Sequence, residues 1–134
     1  MTAFVDTSAF FAVLDVGSTQ HAQARSIWQQ LLLEPAELLT SSYVLLETFA
    51  LVQRRLGMAA VRTFQEDVLP VILTHWIDES LHAAAVLTLL AANRRNLSLV
   101  DCASFIVMRR RDVKDVFAFD DDFRDQGFNV LSAR

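Results

Sequence analysis

Apolar positions fall along the chain in short blocks, and their spacing changes from block to block. Ala3–Asp6 is a brief apolar run of the kind that forms a buried strand, and Thr7 or Ser8 follows in position to cap a helix. Between Thr19 and Leu33, apolar Ala24, Ile27, Leu31 and Leu32 recur at helical spacing, and Pro35 ends the segment. Glu37–Thr40 is a short strand candidate. Ser41 or Ser42 then opens a helix through SSYVLLETFALVQRRLG, which stops at Gly57. The pattern predicts helix again over Met58–Val68. After Pro70, VILTHWI has the β-branched and aromatic content of a strand. Asp78 is placed to cap the long helix ESLHAAAVLTLLAANRR. Ser98 and Asp101 form an S-x-x-D pattern ahead of LVDCASFIVMRRR, which predicts a further helix start. Val116–Phe119 reads as a strand, Asp121–Gln126 as a short helix capped by Gly127, and Asn129–Leu131 as a last strand.

Strands that alternate with helices predict an α/β sandwich built on a mostly parallel sheet. No linker, low-complexity segment or internal repeat interrupts the pattern, so residues 1–134 read as one domain. Composition adds density to this picture. Hydrophobic residues are 53% of the chain and charged residues 21%, more apolar than the usual figure of about 45–50%. Ten Phe and only three Gly predict a tightly filled interior. No apolar run approaches the roughly 18–20 uncharged residues that cross a bilayer. The N-terminal stretch MTAFVDTSAFFAVLD has no basic region and carries an acid, so neither a signal peptide nor a membrane association is expected. The single cysteine, Cys102, excludes an internal disulfide and fits a reducing, cytoplasmic setting.

The placement of carboxylates is the most informative feature. Asp6 is the only charge between Met1 and Leu14, at the expected carboxyl end of a strand. Glu47 is the only charge in YVLLETFALV, and Asp101 the only one in LSLVDCASFIVM. Buried carboxylates are costly without a partner, and the basic residues cluster elsewhere. A shared divalent cation accounts for all three acids. Each also has a local explanation: Asp6 and Asp101 can act as helix caps, and Glu47 can pair with a distant arginine. A fourth acid, Asp120, ends the VFAF strand and leads FDDDF. Ligands of parallel α/β sheets gather outside the carboxyl ends of strands where strand order reverses, which is where Asp6 and Asp120 meet if their strands are neighbours. Asp122 ranks behind Asp120, and Asp121 reads as solvated. Acids there also suit the first turn of a helix. The candidates are all oxygen donors with no Cys/His cluster, so Mg²⁺ or Mn²⁺ fits better than Zn²⁺.

FVDTSAF, SSYVLLET, LSLVDCASF and FAFDDDF, in that order and at that separation, resemble the PIN domain family, in particular the VapC-type ribonuclease toxins of bacterial toxin–antitoxin pairs. The resemblance spans essentially the whole chain. It implies a three-layer sandwich with a parallel sheet of five strands, and a Mg²⁺- or Mn²⁺-dependent endoribonuclease. It also implies that Asp6, Glu47 and Asp101 bind metal with Asp120 as the more variable fourth acid. Thr7 or Ser8 corresponds to the family's hydroxyl beside the first acid. An RNA substrate, a cognate antitoxin and a homodimer are implied in the same way.

The chemistry expected of such a site is in-line attack by water on an RNA phosphodiester, with the acids holding the ion that activates water and neutralises phosphate. The formal net charge of −4 argues against a nucleic-acid binder held by bulk charge. Arg54/Arg55, Arg94/Arg95 and Arg109/Arg110/Arg111 are the candidates for backbone contacts. All three clusters also fall at predicted helix C-termini, where cations favour the dipole. His21, His75 and His82 are scattered and read as surface or satisfied core groups, Cys102 as a small buried side chain, and Trp28, Trp76 and the phenylalanines as core. Two rivals stand against the nuclease. A phosphatase or phosphotransfer domain also sets Asp at strand ends, but it wants a well-placed lysine, and Lys114 is the only one. A PIN-like module that binds a partner without catalysis is the other.

Overall fold

The computed structural model describes residues 1–133. Five short strands, β1 (Thr2–Val5), β2 (Glu37–Ser41), β3 (Ile72–His75), β4 (Asp115–Phe117) and β5 (Asn129–Val130), pair in the order β3-β2-β1-β4-β5. Every pairing is parallel, so the expected mostly parallel sheet is wholly so. The connections carry helices α1 (Thr7–Leu14), α2 (His21–Leu33), α3 (Ser42–Leu56), α4 (Met58–Thr63), α5 (Glu79–Ala92), α6 (Leu99–Arg110) and α7 (Asp122–Asp125). The result is the expected α/β sandwich.

Burial explains why apolar runs this short hold as strands. Ala3, Phe4 and Val5 on β1 are fully buried, as are Leu39 on β2 and Val116 and Phe117 on β4. A strand covered on both faces reads as a continuous apolar block rather than an alternation. Phe64 seals one side of this core through edge-to-face contacts with Phe10 and Phe49 at 5.1 and 5.0 Å. Phe105, Phe123 and Phe128 form a second aromatic cluster beside β5.

Several boundaries differ from the sequence pattern, each for a local reason. Helix over Met58–Val68 breaks after Thr63 into a π turn (Phe64–Val68) and a 3₁₀ turn (Leu69–Val71). The wider turn keeps both Phe64 and Val68 in the core, and Pro70 in the 3₁₀ turn has no N–H for a continuing α-helix. That turn also consumes Val71, and pairing ends at Ser41 with His75, so β3 is shorter than VILTHWI and leaves Trp76 exposed. Trp76 is thus not a core residue. Helix α2 starts at His21 rather than Thr19, because Ser18 Oγ accepts from Gln20 N and holds a turn there. Helix α5 stops at Asn93, which takes a left-handed conformation with φ 50°, so Arg94 and Arg95 lie in the following loop and not on a helix end. β4 ends at Phe117, two residues before the expected Phe119, because the chain turns off the sheet toward Asp120.

Candidate active site

Strand order reverses between the parallel neighbours β1 and β4, and the chain leaving each strand delivers an acid there. Asp6 follows β1 directly, and its N–H still bonds to Phe117 O on β4 at 3.0 Å. Its extended backbone makes it the N-cap of α1, where Oδ2 accepts from Ser8 N at 3.1 Å and from Ser8 Oγ at 2.6 Å. The Ser8 hydroxyl in turn accepts from Phe119 N at 2.9 Å. One side chain therefore ties the first acid to the segment that presents Asp120. Of the two hydroxyl candidates, Ser8 takes this place. Thr7 points inward, donating to Val44 O at 3.4 Å and accepting from Thr48 Oγ1 at 3.1 Å, which stitches α1 to α3.

Asp101 sits at the third position of α6 in a capping box: Ser98 Oγ accepts from Asp101 N at 3.0 Å, and Asp101 Oδ2 accepts from Ser98 N at 3.1 Å. Asp120 is held by the next helix, its Oδ1 accepting from Asp122 N at 3.0 Å. One carboxylate oxygen each of Asp101, Asp120 and Asp122 lies within 4.8 Å of the others. Asp101 and Glu47 are near enough to Asp6 to act on its charge, although neither Asp6 nor Glu47 belongs to the tight threesome.

The capping explanations for Asp6 and Asp101 are therefore correct as local descriptions, and they do not exhaust either residue. Burial raises the carboxyl of Asp6 from 3.8 to about 7 against the opposing hydrogen bonds from Ser8, and the nearby Asp101 and Glu47 charges push it further. Asp6 is only 4% exposed and Asp101 9%. Asp101 is raised mainly by burial and then by Asp122, and Asp120 by burial and by both of those acids. The fold thus gathers like charges that favour holding protons.

No arginine locks Glu47 or Asp101 among the described residues; the ion pairs there are Arg94–Asp122 at 3.3 Å and the exposed Arg124–Asp121 at 3.3 Å. Asp121 is solvated as expected. The Arg94 contact had no counterpart in the sequence pattern, since 28 residues separate the partners. Tyr43 hydroxyl bonds to His82 Nδ1, and these two residues line an apolar hollow of about 410 Å³ with Leu46, Glu47, Ala50, Leu99 and Val100. His82 is therefore tied to the edge of the acidic site. His21 is satisfied by Ala12 O at 2.9 Å.

A wholly parallel sheet with acids where strand order reverses between β1 and β4 is an α/β fold with a ligand site at its switch point, and the chain belongs to the PIN domain family, whose model matches residues 3–129. Among its relatives is the 23S rRNA-specific endonuclease VapC20 of Mycobacterium tuberculosis (strains CDC 1551 / Oshkosh and ATCC 25618 / H37Rv). The two are 35% identical over 126 residues, which cover 93% of this chain and 94% of VapC20. The crystal structure of VapC20, a sarcin–ricin loop cleaving toxin, matches with a TM-score of 0.87 at 32% identity over 98% of this chain and 99% of VapC20. FitAcB from Neisseria gonorrhoeae matches with a TM-score of 0.67 at 16% identity, over 98% of this chain and 96% of that one. This second likeness concerns the fold alone.

Proposed function

We propose that the chain is a divalent-metal-dependent endoribonuclease and the toxin of a toxin–antitoxin pair. The observation that carries the reading is the clustering of Asp101, Asp120 and Asp122 with Asp6 nearby, where strand order reverses, in a chain 35% identical to an rRNA endonuclease. The donor set is all carboxylate oxygen, which suits Mg²⁺ or Mn²⁺ and not a thiolate- or imidazole-seeking ion. Asp6, Glu47, Asp101 and Asp120 are the residues that would hold it, with Asp122 beside them. A bound ion of this class neutralises phosphate and lowers the pKa of water.

The protein's own contribution is positioning and proton exchange. Ser8 fixes Asp6 through Oδ2, and Ser98 fixes Asp101 through its own Oδ2. With its carboxyl raised to about 7, Asp6 would have to release a proton to hold a cation near neutral pH. Leu99 and Val100 precede Asp101 and line the apolar hollow together with Glu47.

The relative's named target makes a hairpin with the sarcin–ricin loop sequence the first substrate to try. Cleavage should require Mg²⁺ or Mn²⁺, stop with EDTA, and be lost in Asp101→Asn. Cleavage indifferent to chelation, or retained in Asp101→Asn, overturns the reading. Binding of the hairpin without scission at either ion favours the non-catalytic module, and hydrolysis of a phosphomonoester in place of RNA favours the phosphatase. A protein antitoxin is the proposed partner, and exposed Leu46, Leu87 and Leu90 supply apolar surface for it or for a second copy of the chain. Co-expression with the product of the adjacent gene tests for the antitoxin by its effect on cleavage.

A further inference from the structure

An acidic pocket in an acidic chain needs at least one cation where the RNA backbone enters, and three arginine clusters compete for that place. The fold separates them. Helix α3 starts beside the site, capped by Ser41 at the carboxyl end of β2, and carries Glu47 on its second turn. Arg54 and Arg55 lie seven and eight residues further along, about 11 Å down the axis and away from the acids. Helix α6 likewise starts with Asp101 at the site and ends in Arg109 and Arg110, about 12–14 Å away. Arg111 lies against Thr2 and Glu37, at the amino ends of β1 and β2. Both clusters are therefore at the wrong end of the sheet for an RNA whose phosphate meets the acids.

Arg94 is at the right end. Left-handed Asn93 terminates α5 and sends the chain into a loop anchored by buried Leu97 and closed by Ser98, the residue that fixes Asp101. From this loop Arg94 reaches across to Asp122 Oδ1 at 3.3 Å. Asp122 is one of the three clustered acids, so the Arg94 guanidinium stands at the rim of the pocket. The Arg94 side chain is 44% exposed, whereas that of Asp122 is 15% exposed. The pair is a single 3.3 Å contact with a half-exposed guanidinium, so Arg94 can exchange it for a phosphate, whose oxygens a guanidinium matches in two-pronged geometry.

We infer that Arg94 binds a backbone phosphate of the RNA next to the one being cut, and that its ion pair with Asp122 is the resting position from which it does so. The inference rests on the endoribonuclease reading. Substrate arrival moves the guanidinium from Asp122 to the RNA, which also leaves Asp122 free to face the cation side of the pocket. Arg94 is thus a substrate-binding group, and no proton or bond change passes through it.

Steady-state cleavage of the sarcin–ricin hairpin at several KCl concentrations, in saturating Mg²⁺, tests this. Arg94→Ala should raise KM about tenfold with a much smaller change in kcat, and should flatten the dependence of log(kcat/KM) on log[salt] by about 0.7–1. Arg94→Lys should recover most of the salt slope, because it keeps the charge. Arg110→Ala, at the far end of the sheet, should leave both quantities unchanged. An Arg94→Ala enzyme with wild-type KM and salt slope overturns the inference while leaving the nuclease intact. So does a loss confined to kcat, which would mean that Arg94 acts only by holding Asp122. An equal flattening in Arg110→Ala overturns the placement argument. Should the wild-type chain cut no RNA, the nuclease reading fails. Anisotropy of the labelled hairpin then decides for Arg94, whose alanine variant must bind with a reduced salt slope for the contact to stand.

Discussion

Asp6→Asn replaces one carboxylate oxygen by an amide nitrogen at constant shape, and its effect on the metal-free protein follows from the burial of the site. The carboxyl is raised from 3.8 to about 7 in the folded protein. At about 1.36 kcal/mol for each pH unit between these values, ionising Asp6 at pH 8 costs the folded state about 4 kcal/mol relative to the unfolded chain. Because the folded value is raised, the group's favourable contribution is complete below about pH 4, where Asp6 is protonated in both states. It declines as pH rises and is gone above about pH 7. Asparagine is neutral throughout and keeps an oxygen to accept from Ser8. Its amide must still be buried at a desolvation cost, so we expect about half of the penalty to be recovered. A gain of about 2 kcal/mol raises the Tm by about 5–10 °C for a chain of this size. Thermal unfolding in EDTA, followed by circular dichroism at pH 4.5 and pH 8, measures this directly. The variant should be clearly more stable than wild type at pH 8, nearly equal at pH 4.5, and inactive on RNA. Adding Mg²⁺ should stabilise the wild type far more than the variant. A variant less stable than wild type at pH 8 in EDTA would mean that Asp6 is a structural cap and that the charge-crowding argument is wrong.

Ser8→Ala removes the leading side-chain bond that opposes the raised carboxyl of Asp6 and strips Phe119 N of its acceptor. It should destabilise the protein by about 1–3 kcal/mol and move the acid limb of the pH–rate profile to higher pH; a limb that stays in place refutes the coupling. Thr48→Val deletes a fully buried hydroxyl that donates to Thr7. Its cost is about 1 kcal/mol in urea unfolding with kcat unchanged, and a large fall in kcat would return Thr7 to the candidate site. Binding of Mg²⁺ at pH 6.5 should release protons from Asp6 and its neighbours. Calorimetric titrations in buffers of different ionisation enthalpy report that release, and identical heats in all buffers would contradict the raised carboxyl.

Asp6, Glu47 and Asp101 were legible because each is the only charge in an apolar block, and helix capping does not account for all three. Topology did the rest. Parallel pairing of β1 with β4 sets Asp6 beside the segment leading to Asp120, which strand periodicity alone leaves open. The choice between Thr7 and Ser8 was not legible. Neighbouring positions in the first turn of a helix differ by about 100° in direction, so one hydroxyl enters the α1–α3 contact and the other meets Asp6, and the sequence carries no sign of which. Arg94 was hidden for another reason. Its apparent place at a helix C-terminus supplied a sufficient local account, and only the left-handed turn at Asn93 sends it toward Asp122. The π turn at Phe64 was equally silent, because an extra residue in a helical turn leaves the apolar spacing nearly unchanged.

How the fold tolerates the crowding follows from where each acid sits on its helix. Asp6 is the N-cap of α1, Asp101 lies in the first turn of α6, and Asp120 accepts from the opening N–H of α7. Helix starts present unpaired N–H groups and partial positive charge, so three separate helices each offer compensation to one carboxylate. That compensation is incomplete, since Asp6 still sits near 7 despite two bonds from Ser8. Glu47 has none of it. It lies on the second turn of α3, past the orphan N–H groups, and lines a hollow with Leu46, Ala50, Leu99 and Val100 and with the hydrogen-bonded Tyr43 and His82. Asp6, buried and still raised to about 7, is the acid whose ionised form gains most from a compensating charge outside the chain.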